Sequence, residues 1–454
     1  MNRKQVSLSV NTLDLLKGKI LKSAFEGKLV PQIEGEPEAL QIGKAAEEMP
    51  FRIPKKWKWI RLDSLTDYIQ RGKSPKYSEV KKIPVISQKC NQWSGFEIDK
   101  ARFIDPDTIS KYSEERKLQD LDLLWNSTGT GTIGRVAVYE SKLNPFDTAV
   151  ADSHVTVVRV DKKLMLPKFL YWFLRSPFVQ QSIESLADGS TNQKELATRT
   201  IKNVLVPVPP LEEQKRIVEK VKCLFSKIDV IQKSKDEVSR LSESFEKQLL
   251  QSSISGKLVP QLDEEPELQQ IGEAPEEAPF RIPTKWKWVK LSSIASSNVG
   301  LTYKPTDLID DLSGTPVLRS NNIQDGKLNL KDLKRVKYAN PSPKNFVHPG
   351  DLLMCARNGS KRLVGKCCLI PELKERMMFG AFMAVIRSDF APYLHIFFSS
   401  DAFKKYLGSV NTTTINQITQ KNLLNTWIPL PPLEEQNRIV EKFDKLMLEI
   451  QKLK

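Results

Sequence analysis

From residue 211 onward, apolar side chains recur at alternating intervals of four and three. Ile217, Val221, Leu224, Ile228, Ile231 and Val238 follow this spacing, with Lys235 at the one polar turn. That is the period of a coiled-coil seam. Pro209 and Pro210 precede the pattern, Glu212 and Glu213 sit where a first helical turn favours negative charge, and Gly256 and Pro260 lie just beyond its end. The spacing predicts one helix over 211–254, about 66 Å long at 1.5 Å per residue. Near the chain end Ile439, Phe443, Leu446, Ile450 and Leu453 repeat the seam. An amphipathic face against a globular core is the alternative, but two matching seams favour helix pairing. Elsewhere the period shortens. Runs at 83–87 (IPVIS), 135–139 (RVAVY), 154–160 (HVTVVRV) and 315–320 (TPVLRS) read as strands, and 168–187 reads as a helix. The expected fold class is α+β, with two β-rich domains joined by long helices in an antiparallel coiled coil.

The chain also repeats itself. Residues 27–59 and 256–288 agree at 24 of 33 positions at an offset of 229, both running from GKLVPQ to KWKW. Residues 209–220 and 431–442 (PPLEEQKRIVEK and PPLEEQNRIVEK) agree at 11 of 12 at an offset of 222. The frame is circularly permuted: the central helix is whole, and its second copy is split between the two chain ends. This predicts a pseudo-twofold, circular organisation. The inserts at 60–204 and 289–426 hardly match, yet faint echoes make them copies of one domain. Asp122-Leu123-Leu124 answers Asp351-Leu352-Leu353, Gly129 and Gly134 answer Gly359 and Gly365, and Asn192-Gln193 answers Asn416-Gln417. The expected segments are 1–50, 51–208, 209–279, 280–430 and 431–454, the second and fourth being the domains.

Composition adds a partner. The formal charge is +15, although the two stretches at 33–48 and 262–277 hold 12 acidic residues and one lysine. The excess of base elsewhere suits a polyanion. Five cysteines without CxxC spacing argue against a zinc site or disulfide framework and fit a reducing cytoplasm. No run approaches the roughly 20 apolar residues that span a bilayer. Catalytic readings are thin. Gly129–Gly134 satisfies GxGxxG, but a strand-like run follows it where a dinucleotide site needs a helix. GSKRLVGKCC at 359–368 lacks the spacing and hydroxyl of a phosphate loop. No NPPY- or DPPY-type methylation motif is present, and His154, His348 and His395 are scattered. Trp57, Trp59, Trp286 and Trp288 belong to the constant frame, where core packing is expected over base stacking.

The PPLEEQxRIVEK helix starts, the WxW strands, the Asp-Leu-Leu strands before glycine-containing loops and the permuted twofold layout resemble one family across the whole chain. It is the specificity subunit of type I restriction–modification systems. The resemblance implies that 51–208 and 280–430 are target recognition domains, each reading half of a bipartite, asymmetric sequence in double-stranded DNA. It further implies that the helices set the gap and dock two methyltransferase subunits, with restriction subunits added peripherally. The chain itself would carry no catalytic centre, metal or cofactor, S-adenosylmethionine and ATP being used on the partners. A nucleotide-dependent enzyme built on the Gly129 loop, or a coiled-coil adaptor that binds no DNA, are the other readings.

Base readout calls for Arg or Lys on guanine and Asn or Gln on adenine, with hydroxyls on phosphates. In the first domain the candidates are Gln70, Arg71, Lys73, Lys76, Tyr77, Ser87, Gln88, Lys89, Asn91, Asn126, Ser127, Thr128, Thr130, Thr191, Asn192, Gln193 and Lys194. In the second they are Tyr303, Lys304, Arg319, Ser320, Asn321, Asn322, Arg357, Asn358, Ser360, Lys361, Arg362, Thr413, Asn416 and Gln417.

Overall fold

The computed structural model describes residues 12–43, 49–129, 131–187, 194–337, 341–410 and 416–453. The chain divides into two compact units, Met1–Lys233 and Ser234–Lys454. The helix predicted over 211–254 is continuous from Leu211 to Ile254, and the boundary between the units falls inside it.

In the first unit a short strand, Lys58–Arg61, pairs antiparallel with Leu205–Val208 and so closes the domain where it begins and ends. Between them lie two four-stranded sheets. One runs in the order Thr66–Arg71, Val155–Val160, Leu123–Asn126, Val136–Val138; the other runs Val150–Ala151, Pro84–Ile86, Arg102–Ile104, Tyr77–Ser78. Val155–Val160 is buried at five of its six positions because it has a neighbour on each side, which is why HVTVVRV shows no polar alternation. The expected helix over 168–187 is instead three short ones, Pro167–Leu174, Pro177–Gln180 and Ile183–Leu186. Pro177 cannot continue the first of them, and Ser176 before it is extended.

The second unit repeats this design strand for strand. Lys287–Lys290 pairs with Trp427–Leu430. Its sheets run Ser296–Val299, Met383–Arg387, Leu352–Cys355, Cys367–Leu369 and Met378–Phe379, Thr315–Leu318, Lys334–Val336, Leu308–Ile309. Even the parallel pairing is kept, Val150–Ala151 on Pro84–Ile86 in one and Met378–Phe379 on Thr315–Leu318 in the other. Beneath each central sheet the aspartate of Asp-Leu-Leu is buried against an arginine. Asp122 accepts two bonds from Arg159 at 2.8 and 2.7 Å, and Asp351 pairs with Arg387 at 3.1 Å. Burial pushes the Asp122 carboxyl up although Arg159 pulls it down.

The constant frame is a latch built the same way in both units. Trp57 Nε1 donates to Glu213 at 3.0 Å, and Gln32 donates to the other oxygen of that carboxylate. In the second unit Trp286 donates to Glu435 at 2.9 Å, joined by Gln261. Both glutamates are buried, and desolvation raises their carboxyls above the ordinary range while the Trp and Gln bonds oppose it. Outside the latch, Arg216 pairs with Glu36 and Arg438 with Glu265. Lys56 Nζ gathers the carbonyls of Ile33, Glu34 and Glu36, and Lys285 those of Leu262, Asp263 and Glu265. Gly27 and Gly256 stand at φ of 70° and 69°, and a Cβ there would meet Pro54 or Pro283 at 2.2 Å. All four tryptophans of the frame are buried, as expected.

The helix Thr12–Phe25 runs antiparallel to the start of the long helix. Partners climb from Glu213 to Asp229 as the chain descends from Gln32 to Lys17, whose ammonium lies 2.7 Å from Asp229. Leu21, Ala24 and Phe25 share one core with Ile217, Val221, Trp57 and Phe169. Within the second unit the last turns of the long helix share a core with Leu433–Leu453, through Leu249, Ile254, Ile439, Phe443 and Ile450. The seam is therefore partly an amphipathic face laid on a globular core. Ile228 is buried and Leu224 and Leu446 are half-buried, but Ile231, Val238 and Leu453 are exposed at 53%, 40% and 66%. Those three do not form a closed seam within their own units; they lie on turns beyond the core that covers Ile217, Val221 and Ile439.

Glu213→Ala and Glu435→Ala each strand a buried indole N–H, so each is expected to destabilise its own unit by about 1–3 kcal/mol, read by urea unfolding. Because the folded carboxyl binds its proton more tightly than the unfolded one, the glutamate's contribution is most favourable at low pH. It is lost as pH rises through the raised value. The stability of Glu213→Gln relative to the parent is therefore expected to improve as pH rises above the ordinary glutamate range, and a flat difference would refute this.

Candidate nucleic-acid interface

Several loops of the first domain meet at one rim. Arg71 donates to the Ser153 carbonyl at 2.9 and 2.6 Å and pairs with Glu195. Thr128 forms a bridge with Glu195, and its hydroxyl lies 2.6 Å from His154 Nδ1. Thr132 donates to Gln88 at 2.9 Å. Arg116 ties in the edge strand through the Gln70 side chain at 2.9 Å and the Arg71 carbonyl at 3.0 Å. Further out, Lys73 reaches the Lys111 carbonyl, Lys76 pairs with Asp105 at 2.8 Å, and Arg102 stacks 3.4 Å above Tyr77. Lys89 is exposed on the rim.

Three candidates of this set are corrected. Asn91, Asn126 and Ser127 are fully buried. Asn91 donates to Asn126 at 2.8 Å and to the Leu124 carbonyl; Asn126 donates to the carbonyls of Gln88 and Thr132; Ser127 bonds Thr156. They brace the rim from beneath, because polar side chains at a strand end are consumed by loop carbonyls that would otherwise be unpaired. Ser87 caps the short turn after its strand by accepting from Lys89 N. Lys194 is half-buried. Thr130, Thr191, Asn192 and Gln193 lie outside the described residues, as does Thr413 in the second domain.

That second rim is assembled in the same manner. Arg357 bridges Gln417, Asn358 donates to Ser320 at 3.1 Å, and Asn416 donates to the Gly359 carbonyl at 3.0 Å. Asn321 donates to Asp332 at 2.7 Å and Arg319 approaches the same carboxylate at 3.5 Å. Asn322 is buried, bonded to Arg319 N and to the carbonyls of Asn329 and Asp332, so it too is structural and not a reader. Lys304, Ser360, Lys361 and Arg362 are exposed, and Tyr303 is half-buried.

The register also revises an echo. Leu196 N bonds the Ser127 carbonyl as Ile418 N bonds that of Ala356, so Gln417 corresponds to Glu195 and not to Gln193. Arg116, His154 and Glu195, and Phe382 in the second domain, were missed as rim residues. Each comes from a distant part of the chain and belongs to no motif, so only the fold brings it there.

Among the described residues, neither glycine motif of the rim is built as a nucleotide site. Gly131–Gly134 form a turn that leads into the strand Val136–Val138 and not into a helix whose N-terminus could hold a pyrophosphate. Gly359–Cys368 ends in the strand Cys367–Leu369, with burial pushing both thiols up to about 12. Among the described residues no group of three His, Cys, Asp or Glu could hold a metal ion, and no helix is long and apolar enough to cross a membrane.

Two like domains, each with a polar and basic rim of loops, define a two-headed DNA-recognition protein. The Type I restriction modification DNA specificity domain matches residues 54–240 and again 283–454, and the chain belongs to that family. It is 24% identical over 408 residues to the EcoKI specificity subunit of Escherichia coli K12, covering 87% of this chain and 83% of that one. It is 23% identical to the MjaVIII specificity subunit of Methanocaldococcus jannaschii over 87% of each. Among solved structures, a chain of an assembled type I restriction–modification system superposes with a TM-score of 0.64 at 21% identity, covering 89% of this chain and 93% of that one. The HsdS subunit of Thermoanaerobacter tengcongensis gives 0.55 at 20%, covering 90% and 93%. The protein is thus a specificity subunit of a type I restriction–modification system.

Replacing exposed Lys361 and Arg362 together by alanine is expected to leave the unfolding midpoint within about 0.5 kcal/mol of the parent while lowering the salt slope of duplex binding by about 2. Asn126→Ala should do the reverse, costing about 1–3 kcal/mol of stability by stranding Asn91 and two carbonyls.

Proposed function

We propose that each domain, 51–208 and 280–430, reads one half of an asymmetric bipartite site in double-stranded DNA. The long helix serves as the spacer between the two readings, and the helical frame of 1–50, 209–279 and 431–454 docks two methyltransferase subunits, with restriction subunits added at the periphery. S-adenosylmethionine and ATP are then used on those partners, in the cytoplasm.

One observation carries it. The two domains share every strand pairing of their main sheets, yet equivalent rim positions hold different chemistry: Thr128 and Arg357, His154 and Phe382, Gln88 and Ser320, Glu195 and Gln417. A shared scaffold with divergent rims supports two readers of two different half-sites. The permuted frame supports two equivalent docking faces, because each unit carries one complete latch. The excess of basic residues supports contact with the phosphate backbone, which supplies affinity while base edges supply sequence.

Sequencing of methylated bases in DNA modified by the reconstituted complex is expected to return two unlike half-sites separated by a gap of constant length. A palindromic or uninterrupted motif would overturn the reading.

A further inference from the structure

The residue that follows the central strand by two positions occupies the same place in both rims. Thr128 and Arg357 each form the isolated bridge to the closing loop, at Glu195 and Gln417 respectively. Each also faces the turn before the neighbouring strand. Ser127 N bonds the His154 carbonyl at 2.9 Å, as Ala356 N and Arg357 N bond that of Phe382 at 2.9 and 3.0 Å. In the first domain this place is neutral and internally satisfied, the Thr128 hydroxyl being spent on His154. In the second domain it holds an exposed guanidinium lying 5.2 Å from the centre of the Phe382 ring. Phe382 is itself 57% exposed. Among the described residues the Arg357 side chain has no carboxylate or carbonyl partner, unlike Arg71, Arg159, Arg335 and Arg387.

A guanidinium resting on an aromatic face is held in orientation while its donor edge stays free. The backbone beneath it is held too, by the bridge to Gln417, the Asn358 bond to Ser320 and the Asn416 bond to the Gly359 carbonyl. Exposed Lys361 and Arg362, four and five residues on, supply charge for the flanking phosphates. The ligand that matches a planar fork of two donors in a DNA groove is guanine, whose O6 and N7 are paired acceptors on the major-groove edge. Resting on the function proposed above, we propose that Arg357, oriented by Phe382, reads a guanine in the half-site of the second domain. Thr128 and His154 leave the equivalent base pair of the first half-site without that demand. Arg357 is then a specificity-determining residue, and Phe382 a positioning residue behind it.

The test is selection of bound duplexes from a randomised library by the full-length protein, followed by sequencing. The parent is expected to enrich a bipartite motif with a guanine fixed at one position of one half-site. Arg357→Ala should reduce the preference for that guanine by about 10- to 100-fold and leave the other half-site unchanged. Arg357→Lys should weaken the preference less than Arg357→Ala does while keeping the salt slope of binding, since the charge survives and the planar fork does not. Phe382→Leu should weaken the same preference without altering the rest of the motif. An unchanged motif in Arg357→Ala overturns the proposal, including the case in which all sequences bind uniformly more weakly, which would make Arg357 a phosphate contact. A parent that enriches no bipartite motif defeats the underlying reading, and this proposal falls with it.

Discussion

The buried carboxylate at each helix start holds three separate pieces of chain at one point. Glu213 joins the segment after the first helix, through Gln32, to the opening strand of the domain, through Trp57. Glu435 does the same with Gln261 and Trp286. Burying a carboxylate is costly unless its lone pairs are met, and here two donors meet them. The direction of each helix, the entry of each domain and the path of each acidic linker all follow from that node. This is why Gln32, Trp57 and Glu213 recur unchanged as Gln261, Trp286 and Glu435 while the intervening domains drift apart.

Above the latch, the domains tolerate divergence because their sheets are held by backbone pairing and by one buried Asp–Arg pair each. Cores of the right volume and pattern accept many sequences. The rim loops are pinned at both ends by strand registers and are free to differ at their exposed positions. The consequence is a common platform with exchangeable chemistry at its rim.

The helical frame was legible in detail. Proline, acidic first turn, seam spacing and terminal glycine bounded the helix at Leu211–Ile254, since each signal is local. The strands at 83–87, 135–139, 154–160 and 315–320 were legible for the same reason, being short apolar runs between polar turns. Burial of rim residues was not. Asn91, Asn126, Ser127 and Asn322 look like loop readers because Asn and Ser serve equally to contact DNA and to satisfy stray carbonyls. Which role prevails depends on whether a loop from elsewhere folds over them. Ile231, Val238 and Leu453 failed in the opposite sense. Their spacing matched the seam, but spacing cannot say how far along a helix the covering core extends.

The sequence by itself determined that there are two copies of one frame, where its long helix begins and ends, and that the inserts carry the difference. Those features arise from contacts close in sequence or from repetition of identical residues. Only the tertiary structure placed Thr128 and Arg357 at the same bridge to the closing loop and moved the equivalent of Gln417 to Glu195. It alone brought His154 and Phe382 to the rim. Those matches depend on strand register between segments far apart in the chain, and a register shift of one residue turns every side chain to the opposite face.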